Sequence, residues 1–234
     1  MSLKNIREAS ELRALYERAR CVFLDCDGVI FDSNGFKIEG MRRALSAFDA
    51  ARLDAMEDFW RANGGVSRYE KFRHFFSSIA PAPDVAEAVR GAAERFGAFS
   101  RAAYSEHTPV PEALELARHA GAERCYVVSG ADESELVSVF AEKGISQLFA
   151  GVYGSPRPKL ELVRTVLERV GAQPSEALLI GDGAGDHRVA KTLGLQFVYL
   201  AQFSEWRGAR ERMVEDPGVV WADSWGDLRA ALMG

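Results

Sequence analysis

The stretch Cys21-Val22-Phe23-Leu24-Asp25-Cys26-Asp27-Gly28-Val29 decides the fold of this chain. Four apolar residues in a row suit a strand buried on both faces, as in a parallel sheet. They run into two carboxylates and a glycine, which is turn chemistry. Asp25 and Asp27 therefore stand at a strand's carboxyl end, where open α/β sheets place their ligands. Residues two apart on a strand point the same way, so both carboxylates approach one volume unless the chain bends between them. Like charges that close are costly without a cation or a shared proton. A pair of solvated turn aspartates is the plainer alternative.

Working outward, four more apolar runs follow: Cys125–Val128, Ala177–Ile180, Phe197–Leu200 and Val219–Trp221. Between them, residues 110–120, 132–143, 158–170 and 186–193 carry apolar positions at helical spacings. Strands alternating with helices predict an α/β fold, a Rossmann-like parallel sheet with crossovers. Residues 32–108 break the rhythm. They contain no convincing strand and predict helices over 36–50, 54–63, 68–79 and 84–103, punctuated by Gly64-Gly65, Pro81 and Pro83. The expected organisation is an α/β core of residues 1–31 and 109–234, with a second, smaller helical domain inserted over 32–108.

Three further strand or helix ends carry polar chemistry. Gly181-Asp182-Gly183-Ala184-Gly185-Asp186 follows the run 177–180. Its glycine spacing fails the dinucleotide fingerprint, because Arg188 or Asp186 occupies the position of the third glycine. Four aspartates from two strand ends suit a hard cation such as Mg²⁺, which takes a few carboxylates, waters and phosphate oxygens. Ser129-Gly130 ends a third run before a helix, where a hydroxyl and backbone N–H groups bind phosphate oxygens, though Ser-Gly is also an ordinary turn. Lys159 opens the helix 158–170 and opposes its dipole. That is either a cation with a partner in the site or a solvated surface lysine.

The order Asp-x-Asp-Gly-Val, then a strand ending in Ser-Gly, then Lys, then Gly-Asp-x-x-x-Asp resembles the haloacid dehalogenase superfamily from Asp25 to Asp186. The helical insert is similar to the small cap of phosphoglycolate-phosphatase-like members, and Asp32-Ser33 with Gly65–Arg68 resembles β-phosphoglucomutase-like relatives. The resemblance implies a phosphoric monoester hydrolase acting through an aspartyl-phosphate. Asp25 would be the nucleophile and Asp27 the general acid and then base, its pKa raised by Asp25. Ser129 and Gly130 would hold the phosphate, and Lys159 would neutralise it. Asp25, the Asp27 carbonyl and Asp182 would ligate Mg²⁺, and Asp186 would complete that site or hold Lys159. Asp27 argues against dehalogenases, which lack the second aspartate, and against transport ATPases, which carry Thr there.

The rest of the sequence bounds the function. Lys plus Arg is 29 against 34 Asp plus Glu, a net charge of −5 that argues against a nucleic-acid partner. No apolar run is long enough to span a bilayer, and no charged-then-apolar segment opens the chain, so neither a membrane nor a signal peptide is expected. Three cysteines make no disulfide framework and fit a reducing cytoplasm. Cys21 and Cys125 read as buried, and Cys26 is a weak nucleophile candidate. In the cap, Lys37 and Arg68 each lie beside a break before a helix and are the candidate substrate-binding cations. Tyr69, Phe72, Phe75 and Phe76 read as the inward face of a helix. His107, His119 and His187 show no zinc spacing, and Trp206, Trp221 and Trp225 read as packing residues. The expected activity is a Mg²⁺-dependent phosphatase of a small phosphorylated metabolite, with sugar phosphates among the candidates, as a monomer or homodimer. The alternatives are a phosphosugar mutase and a non-catalytic phosphometabolite-binding protein.

Overall fold

The computed structural model describes residues 6–214, 216 and 219–234. Residues 1–5, on which the signal-peptide expectation partly rests, lie outside them. The chain runs α1 (Ile6–Arg18), β1 (Cys21–Leu24), α2 (Asn34–Ala44), α3 (Ala50–Ala62), α4 (Arg68–His74), α5 (Val85–Glu106), α6 (Pro111–Ala120), β2 (Cys125–Asp132), α7 (Glu133–Glu142), β3 (Gly151–Ser155), α8 (Lys159–Val170), β4 (Ala177–Gly181), α9 (Ala184–Leu193), β5 (Gln196–Leu200), α10 (Ala209–Val214), β6 (Val219–Ala222) and α11 (Trp225–Met233).

The six strands form one parallel sheet in the order β3-β2-β1-β4-β5-β6. Alternate residues of β1 feed different cores: Val22 and Leu24 pack on one face, Cys21 and Phe23 on the other. This is why the run is apolar throughout. The strand order reverses at β1, so the switch point that opens a crevice in such sheets lies at the carboxyl ends of β1, β2 and β4. The sequence missed β3. Its Gly151, Tyr153 and Gly154 give no apolar run, because an edge strand needs less burial.

Helices α2–α5 lie between β1 and β2 and bury a third apolar cluster of their own, including Met41, Met56, Trp60, Phe72, Phe75 and Phe96. Asp49, Ser67 and Asp84 cap α3, α4 and α5 by accepting hydrogen bonds from Arg52 N, Tyr69 N and Glu87 N. The helix expected over 36–50 divides at Leu45–Asp49, where the Asp49 cap starts a new helix. The helix expected over 68–79 ends in a single π turn at Phe75–Ile79. Among the described residues no helix is long and apolar enough to cross a membrane.

Candidate active site

Asp25 continues β1, since its N–H donates to the Ile180 carbonyl of β4 at 2.9 Å. The chain then bends sharply. The Cys26 carbonyl accepts from Ile30 N and Phe31 N at 2.9 and 3.0 Å, and Gly28 N donates to the Phe31 carbonyl at 2.8 Å. Trp225 Nε1 fixes the bend from the far end of the chain, donating to the Val29 carbonyl at 2.9 Å. Gly28 has φ +75°, and a Cβ there would lie 2.0 Å from Asp182 Oδ2. Only glycine lets the two acidic strand ends come this close.

The bend separates Asp25 from Asp27. Asp25, Asp182 and Asp186 form one buried cluster whose carboxylate oxygens lie within 4.8 Å of one another. Lys159 inserts between two of them, with Nζ 3.0 Å from Asp25 Oδ1 and hydrogen-bonded to Asp186 Oδ1. It is buried, not a solvated surface lysine. Asp186 also accepts from Gly183 N at 3.1 Å, so it caps α9 while it holds Lys159. Burial and the Asp186 carboxylate push Asp25 up to about 8 against the pull of Lys159. Burial, Asp25 and Asp186 push Asp182 well above the usual carboxylate range. Three buried carboxylates against one ammonium leave the cluster short of positive charge. An all-oxygen donor set with that deficit fits a hard divalent cation. Asp27 contributes no side-chain oxygen to the cluster.

Asp27 faces the helical segment instead. Its Oδ1 accepts from Ser33 Oγ and Tyr104 Oη, both at 2.5 Å, and lies 3.5 Å from Lys37 Nζ. Burial alone would raise its pKa, but Lys37, Ser33 and Tyr104 together hold it below the usual carboxylate value. This corrects the expectation that Asp25 raises it. Three donors aimed at one oxygen outweigh a single like charge.

Ser129 and Gly130 lie at the end of β2 beside the cluster, and Ser129 Oγ accepts from Ala131 N at 3.0 Å. A Cβ at Gly130 would sit 2.6 Å from the Gly65 carbonyl. Gly185 N donates to the Gly64 carbonyl at 3.0 Å. The Gly64-Gly65 turn thus rests directly on the glycine-rich loops after β2 and β4, closing a cavity of about 60 Å³ lined by Asp25, Asp27, Ser129, Asp182 and residues of α2–α5.

Lys37 and Arg68 both line this cavity. Lys37 also donates to Ser100 Oγ at 3.1 Å. Arg68 is paired with the buried Glu135 of α7 and stacks 4.6 Å over Phe96. The sequence did not point to Asn34, Tyr104, Arg61 or Glu205, and it marked Lys71 only as one of several basic residues of the helical segment. Asn34 Nδ2 donates to Asp182 Oδ2 at 2.8 Å, and its place one residue after Ser33 was the available signal. Tyr104 is one aromatic on a 22-residue helix, and nothing local marks it. Of the tryptophans, Trp225 is core, whereas half-buried Trp206 lines the cavity. Phe72, Phe75 and Phe76 are buried inward as expected, and the half-buried Tyr69 packs against the same cluster while its hydroxyl donates to Asp132 Oδ2 at 2.8 Å. The three cysteines are free and buried.

The family model described as haloacid dehalogenase-like hydrolase matches residues 19–194. Among solved structures, a haloacid dehalogenase-like family protein from Streptococcus pneumoniae is 19% identical, covering 92% of this chain and 98% of its own, with a TM-score of 0.67. A predicted phosphoglycolate phosphatase from Haemophilus somnus is 16% identical, with 91% and 97% covered and a TM-score of 0.69. A β-phosphoglucomutase from Clostridium difficile is 16% identical, with 88% and 92% covered and a TM-score of 0.65. No curated protein gives a match.

Proposed function

The chain belongs to the haloacid dehalogenase-like hydrolases, and from that premise we propose that it is a Mg²⁺-dependent phosphatase of a small phosphorylated metabolite. The observation that carries this reading is the buried cluster of Asp25, Asp182 and Asp186 with Lys159 between two of its members. Asp25, Asp182 and the Asp27 carbonyl would hold the ion, and Asp186 fixes Lys159 beside it. The ion would supply positive charge to the phosphoryl oxygens.

In this reading one Asp25 oxygen attacks phosphorus while the bond to the leaving oxygen breaks, giving an aspartyl-phosphate on Asp25. Lys159 and the Ser129–Gly130 end of β2 balance charge on the transferring group. Asp27 gives its proton to the leaving oxygen and takes one from the water that hydrolyses the acyl-phosphate. Asp27 rests ionised, and an arriving phosphate dianion opposes that ionisation, so proton uptake accompanies substrate binding. Residues 32–108 act as the cap that excludes water and recognises the rest of the substrate. The buried free thiols favour a reducing cytoplasm, and the active unit is a monomer or homodimer.

A panel of phosphorylated metabolites assayed for released phosphate tests the proposal. Turnover with Mg²⁺ that stops on chelation is the expected result. Accumulation of an isomer without phosphate release would favour the mutase alternative. Binding without any turnover would favour the non-catalytic one.

A further inference from the structure

The cations around the cavity are matched to anions, with one exception. Lys37 faces Asp27, Arg61 faces Glu57 and Glu205, Arg68 faces Glu135, and Lys159 lies between Asp25 and Asp186. Lys71 lines the same cavity from α4 and is 5% exposed. Among the described residues, no carboxylate pairs with its ammonium and no hydrogen bond reaches it. Its one close partner is the Trp60 ring, 4.3 Å from Nζ to the centroid. A cation–π contact is worth about 2 kcal/mol when desolvated, less than the several kcal/mol it costs to bury an ion. Burial pulls the Lys71 ammonium down to about 7, with Lys37 adding to the effect and Asp27 opposing it.

A leucine or methionine at this position would pack on Trp60 without that cost. Lys71 sits on the inward face of α4 beside Arg68 and Phe72, so its amine stays in the cavity rather than reaching solvent. The phosphoryl group would sit against Asp25, Ser129 and Asp182, which line the cavity from the strand ends of the core, whereas Lys71 lines it from α4. Trp60, Phe96 and Trp206 add aromatic surface to the same cavity. A buried amine without an anion gives up its charge readily, and an anionic ligand group entering the cavity would restore that charge as an ion pair.

We infer that Lys71 binds a second anionic group of the substrate, so that the substrate is a small phosphorylated acid, carrying a carboxylate or a second phosphate, and not a neutral phosphorylated sugar. This rests on the phosphatase reading above. It goes further by fixing the chemistry of the part of the substrate that the core does not touch.

The test compares three alkyl phosphates of equal length ending in a hydroxyl, a carboxylate or a phosphate, with wild-type protein, Lys71→Met and Lys71→Arg. Methionine keeps an unbranched apolar side chain against Trp60 and removes the charge; arginine restores a charge. The wild type should prefer one charged terminus over the hydroxyl by about 10- to 100-fold in kcat/KM, the scale of one hydrogen bond to a charged group. Which charged terminus is preferred identifies the acid. In Lys71→Met that preference should collapse towards unity, mainly through KM, and Lys71→Arg should recover part of it. Equal hydrolysis of all three by the wild type, or a preference that survives in Lys71→Met, overturns the inference and leaves the phosphatase reading standing. No hydrolysis of any phosphate ester overturns both.

Discussion

Burial and Asp186 push the Asp25 carboxyl up, whereas Lys37, Ser33 and Tyr104 hold that of Asp27 down, although one residue separates them. The two should therefore fail differently when changed. Asp25→Asn removes the attacking oxygen, so turnover of every phosphate ester should be lost. Asp27→Asn removes the proton donor, typically worth roughly 10²–10⁴-fold, and the loss should be smaller for an aryl phosphate whose leaving group needs no proton. Equal losses on alkyl and aryl esters would contradict the role of Asp27. Tyr104→Phe deletes one donor to ionised Asp27 and should raise its pKa. The limb of the kcat/KM profile that disappears in Asp27→Asn should then move to higher pH in Tyr104→Phe. An unmoved limb would mean that Tyr104 only packs against Phe31 and Phe36.

Helix α4 meets the core through two side-chain bridges, Arg68 to Glu135 and Tyr69 to Asp132. Removing one partner of a buried pair strands the other charge and typically costs about 3–5 kcal/mol. Arg68→Ala and Glu135→Ala should each lower stability on that scale in urea unfolding, and the double variant should cost less than the sum. Additive losses would show that the pair is not coupled. The strands β1, β2, β4 and β5 were legible because burial on both faces writes a continuous apolar run. The acidic and polar residues at their ends were legible because the switch point lies there. The edge strand β3 left no such run. Of the partners of Asp27, Ser33 and Lys37 were singled out in the sequence, but Tyr104 was illegible because it comes from the far end of α5, and the bend at 26–31 was illegible because backbone hydrogen bonds and Trp225 from α11 set it. Arg68 was read as a candidate for substrate contact, while its guanidinium carries an ion pair whose partner lies 67 residues away.

Three buried carboxylates, Asp25, Asp182 and Asp186, share one ammonium, Lys159, at the carboxyl ends of the strands. Asp25 and Asp182 have folded pKa values above the ordinary carboxylate value of 3.8. Such groups add stability below that value and give it up as pH climbs through the folded pKa, about 8 for Asp25. Metal-free protein should therefore melt at lower temperature at pH 8 than at about pH 5. Mg²⁺ should reverse this, adding about 2.7 kcal/mol at a hundredfold excess over its Kd. Calorimetry with chelator or Mg²⁺ checks it, and a Mg²⁺ shift independent of pH would contradict it. The central claim is a covalent phosphoryl group on Asp25, and acid-quenching the protein during turnover, followed by mass spectrometry of its peptides, tests it most directly. A phosphoryl group on the peptide carrying Asp25, absent from Asp25→Asn, is the predicted result. Turnover with no such adduct, or with the group on another residue, would contradict the account.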